Sequence, residues 1–541
     1  MSGALLQLAS MGPQDVYLTG NPEISLFKKA YLRYTNFSTE TVQVAFDGQY
    51  INFGSTCTVT LEQAGDLISK VVLVVQLGNI ESVIPWGYVD KIAHAMIDNI
   101  TVNIGQSEID RVTDDIIDTY HNLYSNQSHE NRYNIMIGNT PELKRIGTSH
   151  PSYFLYLPLE FWFTKVSSSS FPICSINNQK FQINITLKNA IDCINYSGTM
   201  EPQNSDLPTI LSGYVLVDYI YLENQERLLF KSNDHEYLVE QYQDMTDVIT
   251  TNNTKISLIF DKPCKYIVWY VNLDRYYTRN KFIAWATDNN WAQAKDNFAK
   301  LVWLATREGL NCNDPLNPVI VFNNTYINIG QSLAAITGGN AILEQYANKV
   351  NAIILFAETD NNNIVAKATV ENVVLTQNNI TFQDMSSTVD EILNDVNTTS
   401  DQITFIENVM INIVDYFNTG NFINRTDNPI ITSSFQLNGK NRFQQWDGNY
   451  FNYVQPYYYF TNTPPDGINT YSFCLDPKSI QPTGSINMGQ VNSKDLLIQL
   501  GMNNTPNTMY FNTFFKNGRF RIFTLSYTIL KISQNQASLA Y

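Results

Sequence analysis

Ile100-Thr-Val-Asn-Ile104, followed by Gly105, Ile109 and the apolar pair Ile116-Ile117, reads as a strand, a turn and a second apolar series. The same steps return in the second half of the chain as Phe435-Gln-Leu437, Gly439, Phe443 and Tyr450-Phe451. Downstream of the first stretch come Pro172-Ile-Cys-Ser175-Ile176-Asn177 and the alternating Phe181, Ile183, Ile185 and Leu187. Downstream of the second come Pro482-Thr-Gly-Ser485-Ile486-Asn487 and the alternating Leu496, Ile498 and Leu500. Each half then closes on one more long strand, at 214–222 and 520–532. One such match could arise by chance. The same order of matches in both halves reads as two copies of one β-rich unit, and a long-period repeat decides the fold before any single element does.

Outward from that repeat, the chain is long enough, at 541 residues, for two or three domains with their own cores. Its 44% hydrophobic content is that of a globular protein. Charged residues make up only 16% and aromatics 13%. With abundant Asn, this suits strands, turns and surfaces that become covered rather than a charged helical protein. Thirty-four basic against 50 acidic residues leave a net charge of −16. Binding to nucleic acid by counterion release needs clustered cations, so direct contact with nucleic acid is disfavoured. Lys28-Lys29 with Arg33 is the best candidate for a local basic patch, against the commoner reading of a solvated end of a segment.

The six cysteines, at 57, 174, 193, 264, 312 and 474, form no CxxC pair and suit a reducing compartment. Met1-Ser-Gly-Ala-Leu-Leu-Gln-Leu lacks the pattern of a secretory signal. No apolar run approaches the ~18 residues that span a bilayer. The expectation is a soluble protein made in the cytosol, with no transmembrane segment.

Residues 1–40 form an N-terminal arm and lead-in segment. Leu5, Leu6 and Leu8 have nothing local to cover them, Gly12-Pro13 breaks the chain, and Ile24, Phe27, Tyr31 and Tyr34 fall at helix-like spacing. The arm reads either as one that needs a neighbour to cover its leucines or as a terminus docked on its own subunit. From 41 to 222 the pattern is strand-like, with Ile68 to Leu77 a continuous run suited to a strand covered on both faces. One helix is expected at 113–124. A short polar connector spans 223–234, and the second unit runs from 235 to 541. An α/β insertion at about 275–428 interrupts it, with helices expected at 291–305 and 389–396 and strands at 319–322, 353–356 and 370–375.

Reactive chemistry is scarce. His235-Glu236 opens like a zinc-protease motif, but the position for the second His is Val239. Asp114, Asp118 and His121 could share a helix face and hold a cation, against the commoner reading of a solvated acidic face. No phosphate-binding loop or nucleophile elbow occurs. Asn-x-Ser/Thr sites at Asn36, Asn126, Asn195, Asn324, Asn397, Asn424 and Asn503 are what an Asn-rich chain produces by chance. No catalytic residue, cofactor site or metal site is expected, and a chain this long with so little chemistry reads as a builder.

At this point a resemblance can be named. Gly3-Ala-Leu-Leu-Gln-Leu8, Gln14-Asp-Val-Tyr17-Leu-Thr-Gly-Asn-Pro22, Phe27-Lys28 and Tyr34-Thr-Asn-Phe37 resemble the N-terminus of major capsid proteins of nucleocytoplasmic large DNA viruses. Val217-Asp-Tyr-Ile-Tyr-Leu222 with Glu226-Arg227 resembles the end of that family's first barrel, and His235-Glu-Tyr-Leu238 the start of its second. Leu437-Asn-Gly439, Arg442-Phe443, Asp447-Gly-Asn-Tyr-Phe-Asn452, Gln455-Pro-Tyr457 and Gln481-Pro-Thr-Gly484 are similar to its most recognisable stretch. Leu228-Leu229 depart from the basic residues usual there, and Tyr457-Tyr458-Tyr459 from a polar continuation.

The resemblance implies an all-β core of two tandem eight-stranded antiparallel jelly rolls. It implies a structural role: homotrimers that look hexagonal, contact neighbouring capsomers and minor capsid proteins, and tile the icosahedral shell of a large DNA virus. Leu5, Leu6, Leu8, Tyr17 and Phe27 are the candidate assembly-arm residues. A glycan-binding or glycan-cleaving β-sandwich and a trimeric receptor-binding fibre are the alternatives.

Overall fold

The computed structural model describes residues 2–29, 31–48, 50–144, 147–196, 202–273, 283–286, 426–501 and 518–540. In chain order the strands of the first half are β1 (Phe37–Val44), β2 (Thr56–Leu61), β3 (Leu67–Leu77), β4 (Ile80–Tyr88), β5 (Ile97–Ile104), β6 (Ser107–Thr113), β7 (Gly147–His150), β8 (Tyr153–Pro158), β9 (Phe181–Leu187), β10 (Ile194–Tyr196) and β11 (Ile210–Leu222). Sheet β1-β11-β3-β8 packs on sheet β2-β9-β5-β6, and β10-β4-β7 forms a small third sheet. Alternation sorts the faces: Val71, Leu73, Val75, Val215 and Val217 from one sheet meet Cys57, Val59, Ile100, Ile183 and Ile185 from the other in one buried core.

The second half supplies β12 (His235–Ile249), β13 (Asn253–Ser257), β14 (Pro263–Leu273), β15 (Ile430–Leu437), β16 (Lys440–Asp447), β17 (Asn469–Ser472), β18 (Ile486–Asn487), β19 (Lys494–Leu500), β20 (Gly518–Ser533) and β21 (Gln536–Leu539). One sheet runs β12-β20-β14-β17, with β18 added on β14 and β21 on β20, and the other runs β13-β19-β15-β16. In each half the first strand of the main sheets pairs with the last, the last with the third, and the third with the sixth. The second strand pairs likewise with the seventh, the seventh with the fourth, and the fourth with the fifth. That order is a jelly roll, so two rolls of one topology stand in tandem.

The repeated stretch of sequence is the hairpin β5–β6 in one roll and β15–β16 in the other. Its turns show why glycine recurs: Gly105 has φ +63, and Asn438 and Gly439 have φ +50 and +75. Tight hairpins need that left-handed backbone, which glycine and asparagine adopt at least cost. The alternating runs after Pro172 and Pro482 become β9 and β19, and the closing runs become β11 and β20.

Several expectations change. β1 begins at Phe37, so residues 37–40 belong to a strand and not to the arm. The polar connector is a helix, Asn224–Ser232, held to the first roll by Arg227, whose Nε and Nη2 donate to the two carboxylate oxygens of Asp66 at 2.7 and 2.9 Å. The helix spacing of Ile24, Phe27, Tyr31 and Tyr34 yields no helix among the described residues there, and those four side chains are all exposed, so no packing supports one. The helices and strands expected within 291–396 lie outside the described residues. The helix at 113–124 forms as Asp114–Tyr124.

The core of the first roll runs on across the seam to the outer face of the second roll's sheet, and the second roll has a separate core inside. β14 shows how. Ile267, Trp269 and Val271 point into the second roll, whereas Tyr266, Val268 and Tyr270 point the other way into the core of the first. Phe523 and Leu525 of β20, which pair with Val268 and Tyr266, join them on that seam. Each such side chain removed from water contributes roughly 1.5–3 kcal/mol. The first roll covers the seam with the helix Asp114–Tyr124, whose Tyr124 ring lies 5.6 Å from Phe460 and 6.5 Å from Tyr266.

Charges cross the same seam in pairs. Lys165 from the first roll lies 2.7 Å from Glu240 on β12, which Lys265 on β14 meets from the other side at 2.6 Å. Asp115 meets Arg521 at 2.5 Å. Burial alone would raise the Glu240 carboxyl; Lys165 and Lys265 outweigh it and hold the group below the usual carboxylate range. Asp110 stands differently. Its Oδ1 accepts from the backbone N–H groups of Arg111 at 2.9 Å and Tyr242 at 3.4 Å, and burial pushes its pKa up to about 7 against the pull of Lys165.

Glu240→Ala leaves two buried ammonium groups without a counterion and is expected to cost about 3–5 kcal/mol in urea unfolding. Lys531→Ala, which breaks a pair exposed at 50% and 63%, should change stability by less than ~1 kcal/mol. Asp110 binds its proton more tightly folded than unfolded, so its contribution is complete below pH ~4 and is lost as pH rises towards about 7. Asp110→Asn should therefore match the wild type near pH 4, and its advantage should grow to a plateau above pH 7. Urea midpoints across that range measure it, and a constant offset would contradict it.

Candidate assembly surfaces

The arm leaves the first roll at the edge strand β1. It carries two short helices, Gly3–Ala9 and Asp15–Thr19, neither with a buried residue. Every described residue from 2 to 41 except the half-buried Gly12 is exposed. The five candidate arm residues share that fate: Leu5, Leu6 and Leu8 stand in solvent, Tyr17 is 91% exposed and Phe27 99%. Leu18, Leu26, Tyr31 and Leu32 extend the same apolar strip. Among the described residues nothing covers this strip, and uncovered apolar surface of this extent is typical of contact surfaces.

A second uncovered apolar surface lies on the second roll, between β16 and β17. After Asp447 the chain makes a π-helical turn, Tyr450–Val454, and a short helix, Gln455–Tyr459. The inward side of this segment is locked. Asn452 Nδ2 donates to the carbonyls of Pro465 and Ile468 at 3.2 and 3.1 Å, and its Oδ1 accepts from Gly467 N at 3.1 Å. Gln455 Oε1 accepts from Ser472 N at 3.3 Å, and its Nε2 donates to the Tyr450 hydroxyl at 3.0 Å. The outward side presents Tyr457 and Tyr458, 74% and 72% exposed, flanked by Tyr453, Val454 and Trp446. Rigid backing with aromatic residues outward is the make-up of an interface anchor.

The candidate cation site does not assemble. Asp114 pairs with Lys188 at 2.5 Å, Asp118 with Lys91 at 2.5 Å and with His94 Nδ1 at 3.3 Å, and His121 with Glu130 at 3.1 Å. Burial alone would raise the Asp118 carboxyl, but Lys91 and His94 hold it far below the ordinary range. The solvated acidic face fails as well: Asp114, Asp115 and Asp118 are all buried, because cations from three other elements reach them. Among the described residues no group of His, Cys, Asp and Glu could hold a metal ion. His235 Nε2 lies 2.8 Å from the Phe230 carbonyl and serves the connector.

Cys57, Cys174, Cys193, Cys264 and Cys474 are buried, and none of them is in a disulfide. Asn195 lies buried in β10, out of reach of modification. No helix among the described residues is long and apolar enough to cross a membrane. Leu228 and Leu229, where basic residues were expected by resemblance, are exposed on the connector helix.

The seam charges were not singled out from sequence. Their signal is present all the same: Lys165 closes the run Phe161-Trp-Phe-Thr, and Lys265 stands between Cys264 and Tyr266. A lone charge inside an apolar stretch asks for a buried partner.

Residues 226–538 match the family described as large eukaryotic DNA virus major capsid protein, and residues 25–223 match the major capsid protein N-terminus. Capsid protein 1 of Acanthamoeba polyphaga mimivirus is 28% identical over an alignment of 610 residues that covers all of both chains. The major capsid protein of Phaeocystis pouchetii virus is 28% identical over 575, again with full coverage of both. Among solved structures, PBCV-1 VP54 superposes with a TM-score of 0.62 at 21% identity, covering 96% of this chain and 100% of that one. Two family matches in tandem, one on each roll and the larger spanning more than half of the sequence, agree with the duplicated topology: the chain belongs to the major capsid proteins of large eukaryotic DNA viruses.

Proposed function

We propose that this structural capsid protein works as a closed homotrimer whose six rolls fill a hexagonal position in an icosahedral shell, without catalysis and without a cofactor. The observation that carries the reading is the tandem of two rolls with identical strand order, fused along a buried seam. A chain holding two similar bodies at fixed orientation needs only threefold closure to offer neighbours a nearly sixfold outline. Matches along the whole chain to viral capsid proteins favour this reading over a glycan-binding sandwich or a receptor-binding fibre.

The arm is the second part of the proposal. Its uncovered strip, with Leu5, Leu6, Leu8, Tyr17 and Phe27, is buried on assembly, against a neighbouring capsomer or a minor protein of the inner shell. Contacts of that kind are weak singly and add up by multivalency across a lattice. Synthesis in the host cytoplasm suits buried cysteines that form no disulfide among the described residues.

The purified chain should run as three copies by light scattering and show hexagonal outlines by negative-stain microscopy. A monomer at every concentration, or an elongated fibre, would sink the trimer. Deleting residues 2–20 should leave that trimer intact and abolish shell formation; shells of normal geometry from the shortened chain would remove the arm from assembly.

A further inference from the structure

The seam between the rolls does not close completely. Among the described residues a cavity of about 300 Å³ remains beside the helix Asp114–Tyr124, between the end of β8 and Tyr242 of β12. Ile117, Tyr120, Tyr124, Tyr133, Leu159 and Tyr242 line it, so its walls are apolar and mostly aromatic.

The packing shows why no side chain collapses into this space. The rings are held in pairs and at their tips. Tyr120 stacks on Tyr124 with centroids 4.6 Å apart, and His121 on Tyr133 at 3.7 Å. The Tyr124 hydroxyl donates to the Pro477 carbonyl at 3.3 Å. The Tyr133 hydroxyl lies 2.8 Å from His94 Nε2, and His121 Nε2 lies 3.1 Å from Glu130 Oε2. The Lys165 ammonium stands 5.3 Å from the Tyr120 ring centroid and 5.9 Å from that of Tyr242, and Glu240 fixes it in turn. Turning one of these rings into the void would break a hydrogen bond, a stack or a cation–ring contact.

The space is therefore preformed. Protein interiors keep few voids larger than a water molecule. An apolar cavity of ~150 Å³ already takes a benzene ring, so this one has room for two fused rings. Its place between two packed bodies, with an aromatic lining and few polar groups, is where small-molecule sites occur.

One polar group gives the site direction. Glu160 lines the cavity and is exposed, which puts its carboxylate at the mouth. Among the described residues no hydrogen bond or ion pair engages it, whereas the nearby ammonium of Lys165 is committed to Glu240 at 2.7 Å. A free carboxylate beside ring faces suits a cation, which both attract. The net charge of −16 draws cations towards the molecule as a whole.

From this geometry we infer that the cavity is a binding site for a small aromatic amine. Its flat ring system lies among the tyrosines, and its ammonium group meets Glu160 at the mouth. The inference goes beyond shell building and does not depend on closure of the trimer. Tyr242 belongs to the second roll and the remaining walls to the first, so a bound molecule touches both bodies. Binding should therefore raise the melting temperature as well as saturate.

The test uses the full-length chain and two probes of one shape, 2-(1-naphthyl)ethylamine and the uncharged 2-(1-naphthyl)ethanol. Titration calorimetry should show one amine bound per chain, saturating below ~1 mM, with the alcohol about 10-fold weaker. Ile117→Trp fills the cavity from the helix, and Ser125→Trp fills it from the loop that follows the helix. Each should weaken the amine by about 10-fold or more, with circular dichroism and melting of the free variants verifying the fold. Glu160→Gln should bring the amine down to the affinity of the alcohol and leave the alcohol unchanged. No saturable binding by the wild type below ~1 mM would overturn the site, as would folded Trp variants that bind like the wild type. An amine preference that survives Glu160→Gln would overturn the assignment of an amine.

Discussion

The sheet β12-β20-β14-β17 has two apolar faces, and the rest of the molecule depends on both being covered. One face holds Ile267, Trp269, Val271, Phe520 and Ile522 and closes on β13-β19-β15-β16 to make the core of the second roll. The other holds Tyr266, Val268, Tyr270, Phe523 and Leu525, which water would meet if the first roll moved away. The hydrophobic effect is proportional to area and has no direction, so it presses the rolls together without choosing an angle. The ion pairs supply that choice. Asp115 with Arg521 and Lys165 with Glu240 sit in the seam, where an unpaired charge would be costly, so only one alignment satisfies them all.

A rigid pair of rolls also explains why so much apolar surface remains outside. The arm and the tyrosine segment after β16 lie uncovered in the single chain, and their composition differs from that of an ordinary wet surface. The tyrosine segment is backed by the paired side chains of Asn452 and Gln455 and is ready as it stands. The arm has no such backing, and its two helices are too short to be stable without a partner surface. Any partner that covers it must therefore also offset the cost of ordering it.

Resemblance and physics meet at different points of the chain. The stretch most similar to the family, around Asp447 to Gln455, carries the π-helical turn, and its Asn452 and Gln455 are buried hydrogen-bonding residues. The departure Tyr457-Tyr458-Tyr459 falls immediately beyond, where two of the three side chains leave the protein surface. Similarity thus marks the scaffold of the platform, and the variation falls on what the platform displays.

Sequence alone determined the class of the fold and its duplication. Strand alternation has a period of two, hairpins need glycine or asparagine at left-handed positions, and these local rules wrote the same marks into β5–β6 and β15–β16. The continuous apolar run from Ile68 to Leu77 also read as a strand covered on both faces. What lies against each side was decided only in three dimensions. Asp114 and Asp118, with His121, read as a solvated acidic face because the cations that pair with the two carboxylates, Lys188 and Lys91, come from other parts of the chain. The stripe Ile24, Phe27, Tyr31 and Tyr34 read as helical because spacing carries no information about whether a partner is present. Periodicity tells a residue which way to face; only the tertiary structure tells it what it faces, because that depends on groups far away along the chain.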